Sequence, residues 1–125
     1  MSRIILIDDD QDLPELTRSF LVNEGYEVLI FHEAEPAIAE IKRHKPDLIL
    51  MDVMLPGING AEAIQEIRKD PQLRNIPVIF LTGLVSSQDK DLMEIGINVA
   101  GLKYKILAKP YEGKELLELV ENMLD

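Results

Sequence analysis

The stretch of sequence that decides the fold is PDLILMDVMLPGING, residues 46–60. Its apolar run, Leu48 to Met51, is typical of a strand buried on both faces of a parallel sheet. Asp52 follows this run directly, whereas the turn residues come later, at Pro56–Gly57 and Asn59–Gly60. Asp52 is therefore either a polar end to a buried strand or a functional group that the strand carries.

The rest of the chain repeats this alternation of short apolar runs and amphipathic stretches. Strands are predicted at residues 4–7, 27–31, 48–51, 78–81 and 104–108. Helices are predicted at residues 12–24 and 34–44, after Asn59, from Ser86 to about Ile95, and at residues 112–124. Short connections between alternating strands and helices indicate a parallel sheet with helices on both faces. We predict one α/β domain over residues 1–125, with five strands and five helices in a three-layer, doubly wound arrangement.

Composition and charge exclude several classes of function. The 125 residues carry a formal net charge of −10 and include no cysteine, so disulfides and thiolate chemistry are excluded. An acidic chain repels phosphate backbones, and we predict no direct binding of nucleic acid by this chain. The opening MSRIILIDDD does not resemble a signal peptide, and no apolar run is long enough to span a membrane. We therefore expect a cytoplasmic protein with no membrane contact.

Polar residues stand at the ends of four of the five predicted strands. They are Asp8 and Asp9 after the first strand, Asp52 after the third, Thr82 after the fourth and Lys109 after the fifth. In an open parallel sheet, ligands bind outside the carboxyl ends of the strands, where these residues would meet. Each residue alone has an ordinary explanation as a cap, a turn residue, a strand end or a solvated lysine. Their joint placement is what favours a site.

The chemistry of this set favours a metal ion and a phosphoryl group. Carboxylates brought together repel one another unless a cation is present, and oxygen ligands without histidine or cysteine suit Mg²⁺. The hydroxyl of Thr82 and the ammonium of Lys109 could then hold an anion beside the metal. Gly83 fits the same interpretation, because a larger side chain at that position could crowd the approach of a ligand.

At this point the chain closely resembles a known family. The motifs ILIDDD, DLILMDVMLPGINGAE, PVIFLTG and LAKPY occur in the order found in response-regulator receiver domains, the CheY-like phosphoacceptor domains of two-component signalling. The resemblance covers essentially the whole chain. It implies a flavodoxin-like, CheY-like fold with strand order 2-1-3-4-5.

The resemblance also implies a role for each site residue. Asp52 would be the phosphoacceptor that forms an acyl phosphate, while Thr82 and Lys109 would bind the phosphoryl group. The phosphodonor would be a phosphohistidine on a sensor histidine kinase or phosphotransfer protein. Such a domain is a signalling phosphoacceptor that assists its own phosphorylation and dephosphorylation, rather than an enzyme. Its partner would be a downstream effector protein or an output domain outside this chain.

For the metal, the resemblance implies a Mg²⁺ site made by Asp8, Asp9 and Asp52. The backbone carbonyl of Met54, two residues after the phosphoacceptor, would complete the protein ligands. The chain departs from the family at Ile106, where receiver domains often carry a tyrosine or phenylalanine that couples to the threonine. Tyr104 lies two residues earlier and should share the same sheet face. The segment between Thr82 and Lys109 also looks longer than the family norm, so we expect a remodelled output surface around residues 86–104.

Two other functions stay open at the level of sequence. The first is a pseudo-receiver, an interaction module that is never phosphorylated; the complete acidic, threonine and lysine set argues against it. The second is a Mg²⁺-dependent phosphatase of the haloacid-dehalogenase type, which also uses an aspartate at a strand end. That class needs a second aspartate two residues after the nucleophile, and Met54 occupies this position.

Overall fold

The computed structural model describes residues 2–55, 57–83, 97–99, 102–109 and 111–124. The strands are β1 (Arg3–Ile7), β2 (Glu27–Phe31), β3 (Leu48–Asp52), β4 (Val78–Thr82), β5 (Ile97–Val99) and β6 (Leu102–Ala108). The helices are α1 (Leu13–Asn23), α2 (Ala34–His44), α3 (Gly60–Arg68) and α4 (Gly113–Leu124), and a single 3₁₀ turn spans Pro71–Leu73. The predicted helix at residues 86–95 lies outside the described residues.

The strands form one six-stranded sheet in the order β2-β1-β3-β4-β6-β5. Every neighbouring pair from β2 to β6 is parallel, and only β5 runs antiparallel to its neighbour. Counted along the chain, the five parallel strands have the order 2-1-3-4-5. The predicted α/β, doubly wound, CheY-like fold is therefore confirmed.

The antiparallel strand β5 was not predicted. It pairs with the start of β6, with Val99 opposite Leu102 and Ile97 opposite Tyr104. This pairing lengthens the last parallel strand, which begins at Leu102 and not at Tyr104 as predicted. Part of the unusually long segment before Lys109 is thus used to extend the edge of the sheet.

The core lies on both faces of the sheet because successive residues of a strand point to opposite sides. In β1, Ile5 and Ile7 pack with the residues of α2 and α3, whereas Ile4 and Leu6 pack with those of α1 and α4. All five residues of β3, Leu48–Asp52, are buried. Asp52 is therefore the last residue of a central strand that is covered on both sides.

Both helix starts were predicted at the right residues, Asn59 before α3 and Asp12 before α1, but of these two only Asn59 forms the predicted side-chain cap. At Asn59, the Glu62 amide donates to the side-chain oxygen of Asn59 at 2.9 Å, and Glu62 accepts from the Asn59 amide at 3.3 Å. This is a complete capping box. The predicted cap Asp12 makes no such bond. Instead the side chain of Asp10 accepts from the Leu13 amide at 3.2 Å, because Asp12 already has helical backbone angles.

Candidate functional site

The predicted site residues meet at one edge of the sheet. Asp8 follows β1, Asp52 ends β3, Thr82 ends β4 and Lys109 follows β6. These four strands are consecutive neighbours in the sheet and run in the same direction. The side chains of Asp8, Asp52 and Thr82 are buried, although each is polar. Buried polar groups that converge at the carboxyl ends of parallel strands form the main candidate for a functional site.

Lys109 lies at the centre of this group. Its Nζ atom is 2.6 Å from Oδ2 of Asp8 and 2.9 Å from Oδ2 of Asp52, and its side chain is only 16% exposed. Its backbone amide donates to the carbonyl oxygen of Thr82 at 2.8 Å. Lys109 therefore contacts the residues at the ends of the other three strands.

The pKa values of Lys109 and Asp52 are both raised, for different reasons. Burial alone would lower the pKa of Lys109, but the carboxylates of Asp8 and Asp52 outweigh it and the pKa is raised. Burial also raises the pKa of Asp52, against the opposing hydrogen bond from Lys109 and that from the Met54 amide. The ionised form of Asp52 is thus less favourable here than in an unfolded chain, even beside a lysine.

The carboxylates are arranged so that a cation could bind them. One oxygen from each of Asp8, Asp9 and Asp52 lies within 4.8 Å of the other two. Oδ2 of Asp8 is buried and forms no aligned hydrogen bond with any residue that the structure describes, so its contact is the ion pair with Lys109. Asp9 is exposed to solvent. Three carboxylates and one ammonium leave excess negative charge, and an all-oxygen donor set fits Mg²⁺.

The loop that carries Asp8 is held by contacts that the sequence did not indicate. The Asp10 amide donates to Oδ1 of Asp8 at 3.0 Å, and Nδ1 of His32 donates to the carbonyl oxygen of Asp8 at 2.9 Å. His32 had the features of an ordinary surface residue. Its position directly after β2, the neighbour of β1, was the one available signal for this contact.

Asp52 is held from its own loop. The Met54 amide donates to Oδ1 of Asp52 at 3.2 Å, and the Met54 side chain is 60% exposed.

Gly60, at the start of α3, was missed as a site residue. A Cβ atom at Gly60 would lie 2.8 Å from the carbonyl oxygen of Asp52 and 3.0 Å from the ring of Phe80. Only glycine allows α3 to approach the phosphoacceptor candidate this closely.

Gly60→Ala is expected to lower the free energy of unfolding by about 1–3 kcal/mol, since the added methyl group overlaps backbone that cannot move freely. Gly83→Ala is the matched control, because a Cβ at Gly83 meets no described atom within 4 Å. Urea titration of both variants measures the difference. Equal midpoints for the two variants would contradict the close approach at Gly60.

Ile106, at the position of the family's aromatic switch, and Tyr104 both lie before Ala108, the residue of β6 that pairs with Thr82. Ile106 is buried and pairs with Phe80, whereas Thr82 pairs with Ala108. Tyr104 packs edge-on against Phe80, with ring centres 5.6 Å apart, and its hydroxyl accepts from Nε of Arg68 at 3.1 Å. Tyr104 is therefore held toward the opposite end of the strand from the site.

Comparison with known proteins identifies the family. The response regulator receiver domain profile matches residues 4–121. This chain belongs to the response regulator receiver domain family. It is 36% identical over 124 residues to the transcriptional regulatory protein CpxR of Klebsiella pneumoniae, covering 99% of this chain and 50% of that protein. It is 30% identical over 122 residues to the DNA-binding response regulator MtrA of Mycobacterium bovis, covering 98% and 50%.

Comparison with solved structures supports the same family. The CheY-like receiver domain protein of Methanospirillum hungatei superposes with a TM-score of 0.81 at 30% identity, over 100% of this chain and 94% of that one. The chemotaxis protein CheY4 of Vibrio cholerae superposes with a TM-score of 0.83 at 25% identity, over 99% of both chains. The chain spans about half the length of the regulators that it matches in sequence.

Family membership fixes the general setting. Receiver domains belong to two-component, phosphorylation-based signalling, bind Mg²⁺ at an acidic pocket and interact with histidine kinases and output domains. This chain has an acidic cluster of Asp8, Asp9 and Asp52 that could hold a metal ion. Among the described residues, no helix has the length and apolar character needed to cross a membrane.

Proposed function

We propose that residues 1–125 form a single receiver domain that takes a phosphoryl group from a phosphohistidine onto Asp52. The observation that carries this proposal is the position of Lys109, whose ammonium contacts both Asp52 and Asp8 at the buried carboxyl ends of their strands. A carboxylate nucleophile, a cation beside it and an acidic pocket for Mg²⁺ are the parts that phosphoryl transfer needs.

The transfer step follows from the contacts of Asp52. A carboxylate oxygen of Asp52 attacks phosphorus while the bond from phosphorus to the donor imidazole nitrogen breaks, and that nitrogen keeps the bonding electron pair. The ammonium of Lys109, now 2.9 Å from Oδ2 of Asp52, lies where it can pair with a phosphoryl oxygen. The Met54 amide keeps Oδ1 of Asp52 oriented.

Magnesium, when bound by Asp8, Asp9 and Asp52, would offset negative charge on the transferring group. We assign the fourth protein ligand, the backbone carbonyl of Met54, on the family resemblance. Thr82, at the end of β4, would bind the phosphoryl group once it is attached. Gly83 is exposed and follows Thr82 directly, which places it where we expect the donor to approach.

Phosphorylation would act as a switch because it adds negative charge and hydrogen-bond acceptors at a buried cluster. The kinase or phosphotransfer protein supplies the group, and an output domain or effector protein responds to it in the cytoplasm. The regulators that resemble this chain are about twice as long, which supports an output domain as the partner. Any nucleic acid would be bound by that partner and not by this acidic chain.

One experiment separates this function from its two alternatives. The chain is incubated with acetyl phosphate, with and without Mg²⁺, and the intact mass is measured. A metal-dependent, base-labile phosphoryl adduct that is absent in Asp52→Asn supports the receiver. Release of phosphate by rapid turnover without any adduct supports the phosphatase, and no modification at all supports the pseudo-receiver.

The phosphorylated form is expected to be long-lived, because the exposed Met54 side chain cannot orient an attacking water by hydrogen bonding. Met54→Asn is expected to speed the loss of the phosphoryl group about tenfold, less than the hundredfold or more contributed by a positioned general acid or base. Met54→Leu is the control and should leave the rate unchanged. A faster rate in Met54→Leu than in Met54→Asn would count against this account. The second residue considered for this role, Leu84, lies outside the described residues.

A further inference from the structure

The segment that carries Lys109 is joined to α1 by a hydrogen bond that the proposed chemistry does not use. The hydroxyls of Thr17, on α1, and Tyr111 lie 2.7 Å apart. Thr17 is 4% exposed, and burial raises the pKa of Tyr111. Two hydroxyl groups that pair with each other at a partly buried position form a specific contact between residues 94 positions apart.

Two further contacts on either side of this bond join the same two segments. Lys109 pairs with Asp8, which precedes α1. Gly113 lies so close to the ring of Phe20 that a Cβ atom there would be 3.0 Å from it. Residues 109, 111 and 113 therefore face the β1–α1 segment in turn, and the bond at Tyr111 is the middle contact.

The position of Lys109 depends on this arrangement. The ammonium of a lysine stands on a flexible stem of four carbons, so its placement depends on the backbone that carries the side chain. On the sheet side, the backbone is held by the bond from the Lys109 amide to Thr82. On the helix side, the nearest polar contact described is that of Tyr111 with Thr17.

We propose that Tyr111 is a positioning residue for phosphoryl transfer, and that its hydrogen bond to Thr17 keeps the Lys109 ammonium between Asp8 and Asp52. The consequence for the reaction rests on the proposed function of Asp52. The consequence for the position of Lys109 does not, and it can be measured without any phosphodonor.

The ring of Tyr111 also packs with the apolar residues between α1 and α4, and this packing must be separated from the bond. Tyr111→Phe keeps the ring and removes the hydroxyl, and Thr17→Val keeps the shape of the partner and removes its hydroxyl. Tyr104→Phe is the matched control, because it also loses a buried tyrosine hydroxyl bond, to Arg68, but at a distance from Lys109.

The first measurement is the rate of phosphorylation by acetyl phosphate at saturating and limiting Mg²⁺. Tyr111→Phe and Thr17→Val are each expected to lower the maximal rate about tenfold, because misplacing the Lys109 ammonium slows the transfer step. The Mg²⁺ concentration for half-maximal rate should change less than about twofold, because no metal ligand is removed. The double variant should be no slower than either single one, because all three lack the same bond. Tyr104→Phe should keep the maximal rate.

The second measurement is the ¹H–¹⁵N signal of the Lys109 side-chain ammonium, assigned by its absence in Lys109→Met. The signal should shift or broaden in Tyr111→Phe and Thr17→Val and stay in place in Tyr104→Phe. An unchanged signal together with lower stability would show that the bond is only structural, and would overturn the proposal. If the parent chain forms no adduct, the proposed function fails, and the ammonium signal still decides whether Tyr111 positions Lys109.

Discussion

Asp52→Asn is expected to abolish the phosphoryl adduct and, without Mg²⁺, to raise the free energy of unfolding at pH 7 by on the order of 1 kcal/mol. The adduct is lost because an amide is not a nucleophile for phosphorus under these conditions. Stability rises because the ionised Asp52 carboxylate is buried, and it lies with Asp8 and Asp9 in one acidic cluster. The single ammonium of Lys109 compensates only part of this charge.

The effect of Asp52 on stability should depend on pH with a defined sign. Burial raises the pKa of Asp52 above its usual value of 3.8. Between pH 3.8 and the raised pKa, the folded chain therefore holds a proton that the unfolded chain has released. Across this window the Asp52 contribution to the free energy of unfolding falls as pH rises, and above it the penalty is constant. Asp52→Asn lacks this contribution, so its advantage over the parent should shrink as the pH is lowered.

Chemical denaturation of the parent chain and Asp52→Asn over roughly pH 3 to 8, a range that includes this window, measures the difference in their free energies of unfolding. Asp12→Asn is the matched control, because it removes the same charge from an exposed aspartate that makes no cap bond. A stability gain in Asp12→Asn equal to that in Asp52→Asn would mean that net charge alone is responsible. A loss of stability in Asp52→Asn would contradict the claim that the buried Asp52 carboxylate lowers the stability of the fold.

Lys109→Met is expected to lower the free energy of unfolding by about 3 kcal/mol, because it leaves two buried carboxylates without their cation. The side chains of Asp8 and Asp52 are 1% and 10% exposed, so water replaces the ammonium poorly. The pKa of Lys109 is raised above its usual 10.5, so its charge contributes fully to stability up to that pH while the carboxylates are ionised, and the contribution is lost as pH rises through the raised pKa. The variant should recover stability as pH falls and Asp52, whose pKa is raised by burial, takes up a proton.

Magnesium should also restore part of this loss, since it supplies positive charge to the same oxygens. Lys69→Met is the matched control: Lys69 is 2.8 Å from Glu66, but both side chains are well exposed, at 72% and 48%. Its loss should leave stability nearly unchanged. Equal stability of Lys109→Met and the parent chain would show that the ion pairs at this site contribute little to the fold.

The sequence predicted much of the fold because each strand is short, apolar and followed by an amphipathic stretch. The clearest case is Leu48 to Met51, whose continuous apolar run has no polar alternate positions and fits only a strand covered on both faces. The antiparallel strand β5, Ile97–Val99, was missed because three residues are too short for a periodicity to appear.

The site was predictable for a topological reason. Parallel strands place their carboxyl ends at one edge, so residues that are distant in sequence, such as Asp8 and Lys109, meet there once the strand order is known. The contacts that orient the site were not predictable. Gly60 against the Asp52 carbonyl, His32 on the Asp8 carbonyl and Thr17 on Tyr111 depend on how helices and loops pack, and no local pattern encodes them.

The chemical identity of the modified residue is the most direct test of the central claim. The chain is phosphorylated with acetyl phosphate and Mg²⁺ and then reduced with borohydride, which converts an aspartyl phosphate to homoserine, and peptides are sequenced by mass spectrometry. Homoserine at position 52 alone is the result that this account predicts. Homoserine at position 8 or 9, or a phosphoryl adduct that borohydride does not convert, would contradict it.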